Sequence, residues 1–129
     1  MNAGDRFETV TYDVTRDDLV RYAVASGDHN PIHQDQSVAE SVGLPGVIAH
    51  GMLTMALAAR AVAEWTGGAE VVELGCKFTN PVVVPAAGGI DVVVAGTVKK
   101  VEDGLATLAL EVTSGGQKVL GMPKAVVRA

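Results

Sequence analysis

The sequence predicts an α+β domain in which an antiparallel sheet wraps around one long helix, and three observations lead there. Residues 51–65 place Met52, Leu53, Met55, Ala56, Leu57, Ala58, Ala59, Ala61, Val62 and Ala63 around nearly the whole circumference of a helix. A helix apolar on almost every side is normally buried. Four valine-rich segments, 70–79, 90–101, 105–113 and 118–127, follow it. Turn signals at Ala87-Gly88-Gly89, Asp103-Gly104 and Gly115-Gly116 separate the four segments. Finally, 129 residues, 48% hydrophobic and 19% charged, suit one core, so residues 1–129 are expected to form a single domain.

The elements before the long helix are punctuated clearly. Residues 7–14 alternate loosely and read as a first strand. Thr15-Arg16-Asp17-Asp18 resembles a capping box, with Asp in place of the usual Glu, and the helix it opens carries Leu19, Tyr22, Ala23 and Ser26 on one face. Gly27 is the expected stop, because glycine accepts the left-handed conformation that ends helices. Residues 28–33 are irregular, since Pro31 lacks an N–H and disfavours helix in the residue before it. A short helix over 36–42 ends at Gly43. Pro123 falls inside the final strand and predicts an edge position or a bulge there.

Composition excludes several classes. A formal charge of −5 argues against nucleic acid as the main partner. The one cysteine, Cys76, cannot form an internal disulfide and is read as an inert thiol on a strand, which makes the cytoplasm the expected setting. No signal peptide is read at Met1–Arg6, and the long helix is too short and too polar to span a bilayer, so no membrane role is expected.

The residues that carry chemistry lie in the middle. Asp28 and His33 sit five residues apart in a segment that Pro31 keeps out of regular helix. A turn there brings a carboxylate and an imidazole to one point, where they can hold a water and move protons both ways. The same residue types also serve ordinary turn chemistry, and the hexapeptide alone leaves both readings open. His50-Gly51 begins the long helix, where N–H groups lack internal partners and the helix dipole is positive. That suits a carbonyl oxygen gaining negative charge, although Gly51 is equally read as permitting tight packing. His29 and His33 have the spacing of a helical metal pair, but Pro31 between them argues against that helix, so no metal site is expected.

The run Tyr22-Ala23-x-x-Ser26-Gly27-Asp28-x-Asn30-Pro31-Ile32-His33-x-Asp35 resembles the signature of the MaoC-like (R)-specific enoyl thioester hydratases. Downstream, Gly43-Leu44-Pro45 and Ile48-Ala49-His50-Gly51-Met52 match the same family. Within it, the chain looks closest to the (3R)-hydroxyacyl carrier-protein dehydratases of type II fatty acid synthesis. The resemblance implies a single hotdog fold over residues 1–129: a curved antiparallel sheet wrapped around a long central helix. It implies Asp28 and His33 as the catalytic pair and Gly51 as the N–H that polarises a thioester carbonyl, with Asn30 and His50 in support. The implied substrate is an acyl-CoA or acyl carrier protein thioester, with no cofactor. The implied assembly is a homodimer, or a heterodimer with a second hotdog subunit, because larger relatives carry two hotdogs and this chain has room for one. A hotdog thioesterase and an acyl-thioester-binding subunit without turnover are the competing readings.

One expectation concerns substrate size. Ala56, Ala59 and Ala63 share a helix face by their three- and four-residue spacing. Small side chains there either line an acyl channel, with Ala59 at its middle, or let the sheet pack closely.

Overall fold

A computed structural model describes all 129 residues. The chain runs β1 (Val10–Thr15), α1 (Arg16–Ser26), a 3-10 turn (Pro31–His33), α2 (Gln36–Ser41), α3 (Gly51–Thr66), β2 (Val71–Phe78), β3 (Gly89–Glu102), β4 (Leu105–Ser114), β5 (Gln117–Lys118) and β6 (Leu120–Arg128). The sheet is antiparallel, in the order β1-β3-β4-β6-β2, with the two-residue β5 on β4. It is not closed: β1 and β2 are its free edges.

The core follows from strand alternation. On β3, Val92, Val94, Gly96 and Val98 point inward; on β4, Ala106, Leu108, Leu110 and Val112 do. The two strands pair with Val94 opposite Val112 and Val98 opposite Leu108, which aligns both inner rows against α3. Each fully buried valine or leucine stabilises the fold by about 1.5–3 kcal/mol. With few aromatics, the 21-residue core cluster is built mainly from Val, Leu and Ala, as composition demanded.

Local signals shape the first helix as read. Thr15 Oγ1 accepts from the Asp18 N–H, and the Asp18 carboxylate accepts from the Thr15 N–H at 2.9 Å, completing the capping box. Gly27 ends α1 at φ 79°. The first strand starts at Val10 rather than Phe7. Before it, the Phe7 N–H donates to Gly96 O and the Phe7 ring stacks on Trp65 at 4.8 Å, so the chain tracks β3 without entering the regular ladder.

One expectation is decided and another needs correction. Of the two positions expected for Pro123, an edge or a bulge, the structure takes the bulge, with β6 lying between β4 and β2. Between Gly75 and Lys77 of β2 the pairing steps from Lys124 to Gly121 on β6, and Met122 takes φ 45°. The extra residue lets proline sit inside the sheet without breaking a ladder bond. The correction concerns α3, which is not buried on every side. Thr54, Ala58, Ala61 and Val62 face the sheet, whereas Met52, Ala56 and Ala63 are exposed, because a single open sheet covers only one side of the helix.

Trp65 leans on Gly96, where an added Cβ would lie 2.6 Å from the indole. Gly96→Ala should therefore destabilise the chain by about 1–3 kcal/mol through overpacking. Urea unfolding measures it, and an unchanged midpoint would show that the indole moves aside freely.

Candidate active site

The site is assembled by three segments that bond to one another across the end of the sheet. Segment 47–49 forms a short antiparallel bridge with segment 82–84: the Ala49 N–H donates to Val82 O, and the Val84 N–H to Val47 O, each at 2.9 Å. On its other side the Ile48 N–H donates to Ile32 O at 3.3 Å, and the His33 ring donates from Nδ1 to Ile48 O at 2.7 Å. The irregular loop is thereby pinned beside the start of α3. A strand-like role for residues 82–84 has no local signal beyond valine content, and sequence reading left it out.

Within the loop, turn chemistry and site chemistry coexist. The Asn30 N–H donates to Asp28 Oδ1 at 3.1 Å, and the Ile32 N–H to Asn30 Oδ1 at 3.2 Å. Both side chains thus shape the turn that brings Asp28 and His33 together. Asp28 Oδ2 makes no such bond, and Asp28 lines a cleft of about 440 Å³ with His33, His50, Gly51, Thr54 and Phe78. A larger concavity, about 510 Å³, lies between β1, α1 and α3, but neither Asp28 nor His33 reaches it.

Hydrogen bonds fix the histidine tautomers. A carbonyl only accepts, so His33 carries a proton on Nδ1, and in the neutral ring Nε2 is the bare lone pair. His50 is 2% exposed and donates from Nε2 to Asp28 O at 3.1 Å, which leaves Nδ1 bare, buried and without a partner. The two imidazoles stack with centroids 3.9 Å apart at 25°, and Tyr22 lies tilted against His50 at 4.8 Å. Asp28, His33 and His50 each offer a donor atom within 4.8 Å of the others. In a stack, however, in-plane lone pairs run side by side rather than converging on one ion, so the arrangement suits proton transfer better than coordination.

The start of α3 is open. No side chain caps it; the Leu53 and Thr54 N–H groups bond to His50 O, and the Gly51 N–H has no protein acceptor. Gly51 is also tightly packed, because a Cβ there would meet the Phe78 ring at 3.0 Å. The structure thus brings Asp28, Asn30, His33, His50 and Gly51 together. Ala59 is half-buried and is not among the residues lining this cleft, and Ala56 and Ala63 lie on the exposed face of α3. Phe78 was missed by sequence reading, since only the long-range approach of β2 to α3 places it here. Cys76 stands apart on β2, half-buried, and burial raises its thiol pKa, in line with an inert role.

Burial also pushes the His50 imidazole below its ordinary value; its bond to Asp28 O and the Asp28 charge oppose the shift, while His33 and His29 add to it. A depressed folded pKa contributes stability present above the unfolded value of about 6.5, which is lost as pH falls through the folded value. The melting temperature should therefore drop as pH is lowered below about 6.5, and more steeply in wild type than in His50→Gln. Thermal melts of both proteins across that range check it; parallel curves would show that His50 charges without cost.

No helix is long and apolar enough to cross a membrane. Residues 2–115 match the family described as MaoC like domain. The chain is 40% identical over 78 residues to 3-hydroxyacyl-thioester dehydratase X of Mycobacterium tuberculosis, a stretch that is 60% of this chain but 27% of that protein. A solved structure described as a MaoC-like dehydratase superposes with a TM-score of 0.95 at 36% identity, over 99% of this chain and 40% of that one. An (R)-hydratase from Pseudomonas aeruginosa does so with a TM-score of 0.87 at 29% identity, over 100% of this chain and 82% of that one. With its open antiparallel sheet against α3 and the Asp28–His33 loop lying inside the matched region, the chain belongs to the MaoC-like domain family and has its hotdog fold.

Proposed function

We propose that this chain interconverts a trans-2-enoyl thioester and water with the (3R)-hydroxyacyl thioester, using Asp28 and His33 as its acid–base pair. The observation that carries the reading is the cleft itself. The Asp28 carboxylate and the bare Nε2 of His33 share it with the unpartnered Gly51 N–H at the positive end of α3. The names of the relatives, a 3-hydroxyacyl-thioester dehydratase and an (R)-hydratase, support the same chemistry.

In the proposed hydration, the pair takes a proton from water as its oxygen bonds to C3, and a proton is delivered to C2. Charge passes meanwhile through an enolate whose oxygen accepts from the Gly51 N–H, where the helix dipole favours it. Dehydration is the reverse: the C2 proton leaves and the C3 hydroxyl departs as water. The two groups share both transfers. The reaction asks for no metal or organic cofactor. The substrate is a thioester of CoA or of acyl carrier protein.

Asp28→Asn and His33→Gln should each lower crotonyl-CoA hydration about 100-fold or more, as loss of a positioned acid or base does. Loss of enoyl absorbance measures this, with free-thiol release followed in parallel to separate a thioesterase. Near-normal hydration in either folded variant would sink the assignment.

Assembly follows from what the sheet leaves open. The β2 edge exposes Val71 and Val72, and α3 exposes Met52, Ala56 and Ala63. We read these as covered by a second hotdog, in a homodimer or in a heterodimer with another hotdog subunit. On that reading the acyl chain runs along the Ala56–Ala59–Ala63 face, which becomes a channel only once covered. Light scattering should give a dimer mass for the chain alone or with its partner. Ala59→Leu should lower turnover of a medium-chain enoyl thioester relative to crotonyl-CoA. A stable, active monomer with an unchanged ratio would overturn both statements.

A further inference from the structure

A phenylalanine on a sheet edge has an evident reason to be covered, yet Phe78 is 56% exposed. Three independent features show that its position is set. It lies next to the Lys77–Gly121 pair that closes the bulge opposite Met122-Pro123, and bulges turn a strand end and re-aim its side chains. Its ring packs against Gly51, with Cδ1 and Cε1 both 3.0 Å from where a Cβ would stand. It lines the same cleft as Asp28 and His33. Gly51 does not have the positive φ that would itself require glycine, so the missing side chain there makes room for the ring.

We propose that Phe78 is the positioning wall of the oxyanion site: its ring closes the outer side of the Gly51 N–H and holds a thioester carbonyl against it. This rests on the hydratase reading of the cleft given above. The physical reason is local dielectric. An N–H at an uncapped helix start, open to bulk water, gains little from a developing oxyanion; with an aromatic ring on its open side it gains much more. The ring also sets the width of the cleft between β2 and α3, and with it how far the carbonyl can drift from the Asp28–His33 pair. Gly51 and Phe78 are therefore one device, and changing either should act through the other.

A double-mutant cycle tests this, with kinetics on crotonyl-CoA and calorimetric binding of the unreactive butyryl-CoA. Phe78→Ala and Gly51→Ala should each lower kcat/KM about tenfold, chiefly through kcat, because each lets the carbonyl shift by a fraction of an ångström. The double variant should be no worse than Gly51→Ala alone, because coupled residues do not act additively. Phe78→Leu, which keeps an apolar wall, should stay within about threefold of wild type. Losses that multiply in the double variant, or full activity in Phe78→Ala, would overturn the proposal. So would a change of oligomeric mass in Phe78→Ala, which would place the ring in a subunit interface. If wild type binds butyryl-CoA but hydrates nothing, the hydratase reading fails by itself. Phe78 is then judged on affinity, which Phe78→Ala must weaken about tenfold for the wall to stand. If wild type neither hydrates crotonyl-CoA nor binds butyryl-CoA, both fall.

Discussion

The site depends on the cross-bracing between the 28–33 loop and the start of α3. Ile32 O and the His33 ring hold Ile48 from one side, and the His50 ring reaches back to Asp28 O from the other. These bonds are individually modest, about 1 kcal/mol each. They are made in a partly buried place where leaving them unmade costs more than in open water, so they fix one arrangement rather than merely add stability. They select the tautomer of both imidazoles and with it the nitrogen that is free to take a proton. Remove the brace, and Asp28 and His33 are only a polar turn.

The brace itself needs a floor. Segment 47–49 is held by segment 82–84, and the chain reaches residue 82 only after α3 and β2 have been laid down. The loop over residues 28–33 is therefore placed by contacts remote in sequence. That long-range dependence ties the geometry of the loop to hydrophobic packing of Val47, Val82 and Val84, all buried in the core.

Legibility in the sequence divides along the same line. Features set by nearby residues could be read directly: the Thr15–Asp18 capping box, the Gly27 stop, the turns at Asp103-Gly104 and Gly115-Gly116 and the irregular loop around Pro31. The meeting of Asp28 with His33 was legible only in part: the proline-bent segment allows it, but the same residues read equally as an ordinary turn, and bonds to Ile48 and His50 decide. What escaped reading depends on distant partners. The Val82–Val84 pairing, the His33–His50 stack and the ring of Phe78 over Gly51 each join residues more than a dozen positions apart. Pro123 illustrates the boundary. Its chemistry allowed an edge or a bulge, and only the placement of β6 between β4 and β2 decides for the bulge.

The alanines of α3 show why an apolar pattern alone could not say what covers the helix. Ala58 and Ala61 are 1% and 0% exposed, and their small size lets β3 and β6 close onto the helix backbone. Ala56 and Ala63 are equally small and equally apolar but face away from the sheet. Binary pattern gives both sets the same letter, and one open sheet can satisfy only one of them. On the proposed pairing, the exposed small-residue face meets a second surface, and the two faces then have different work. The inner face fixes how near the sheet comes to Gly51 and hence where the Phe78 ring and the N–H stand. On the proposed pairing, the outer face sets how much room is left once a partner arrives. On that reading the width of the proposed oxyanion site is a property of this chain, whereas the length of acyl chain admitted is a property of the pair.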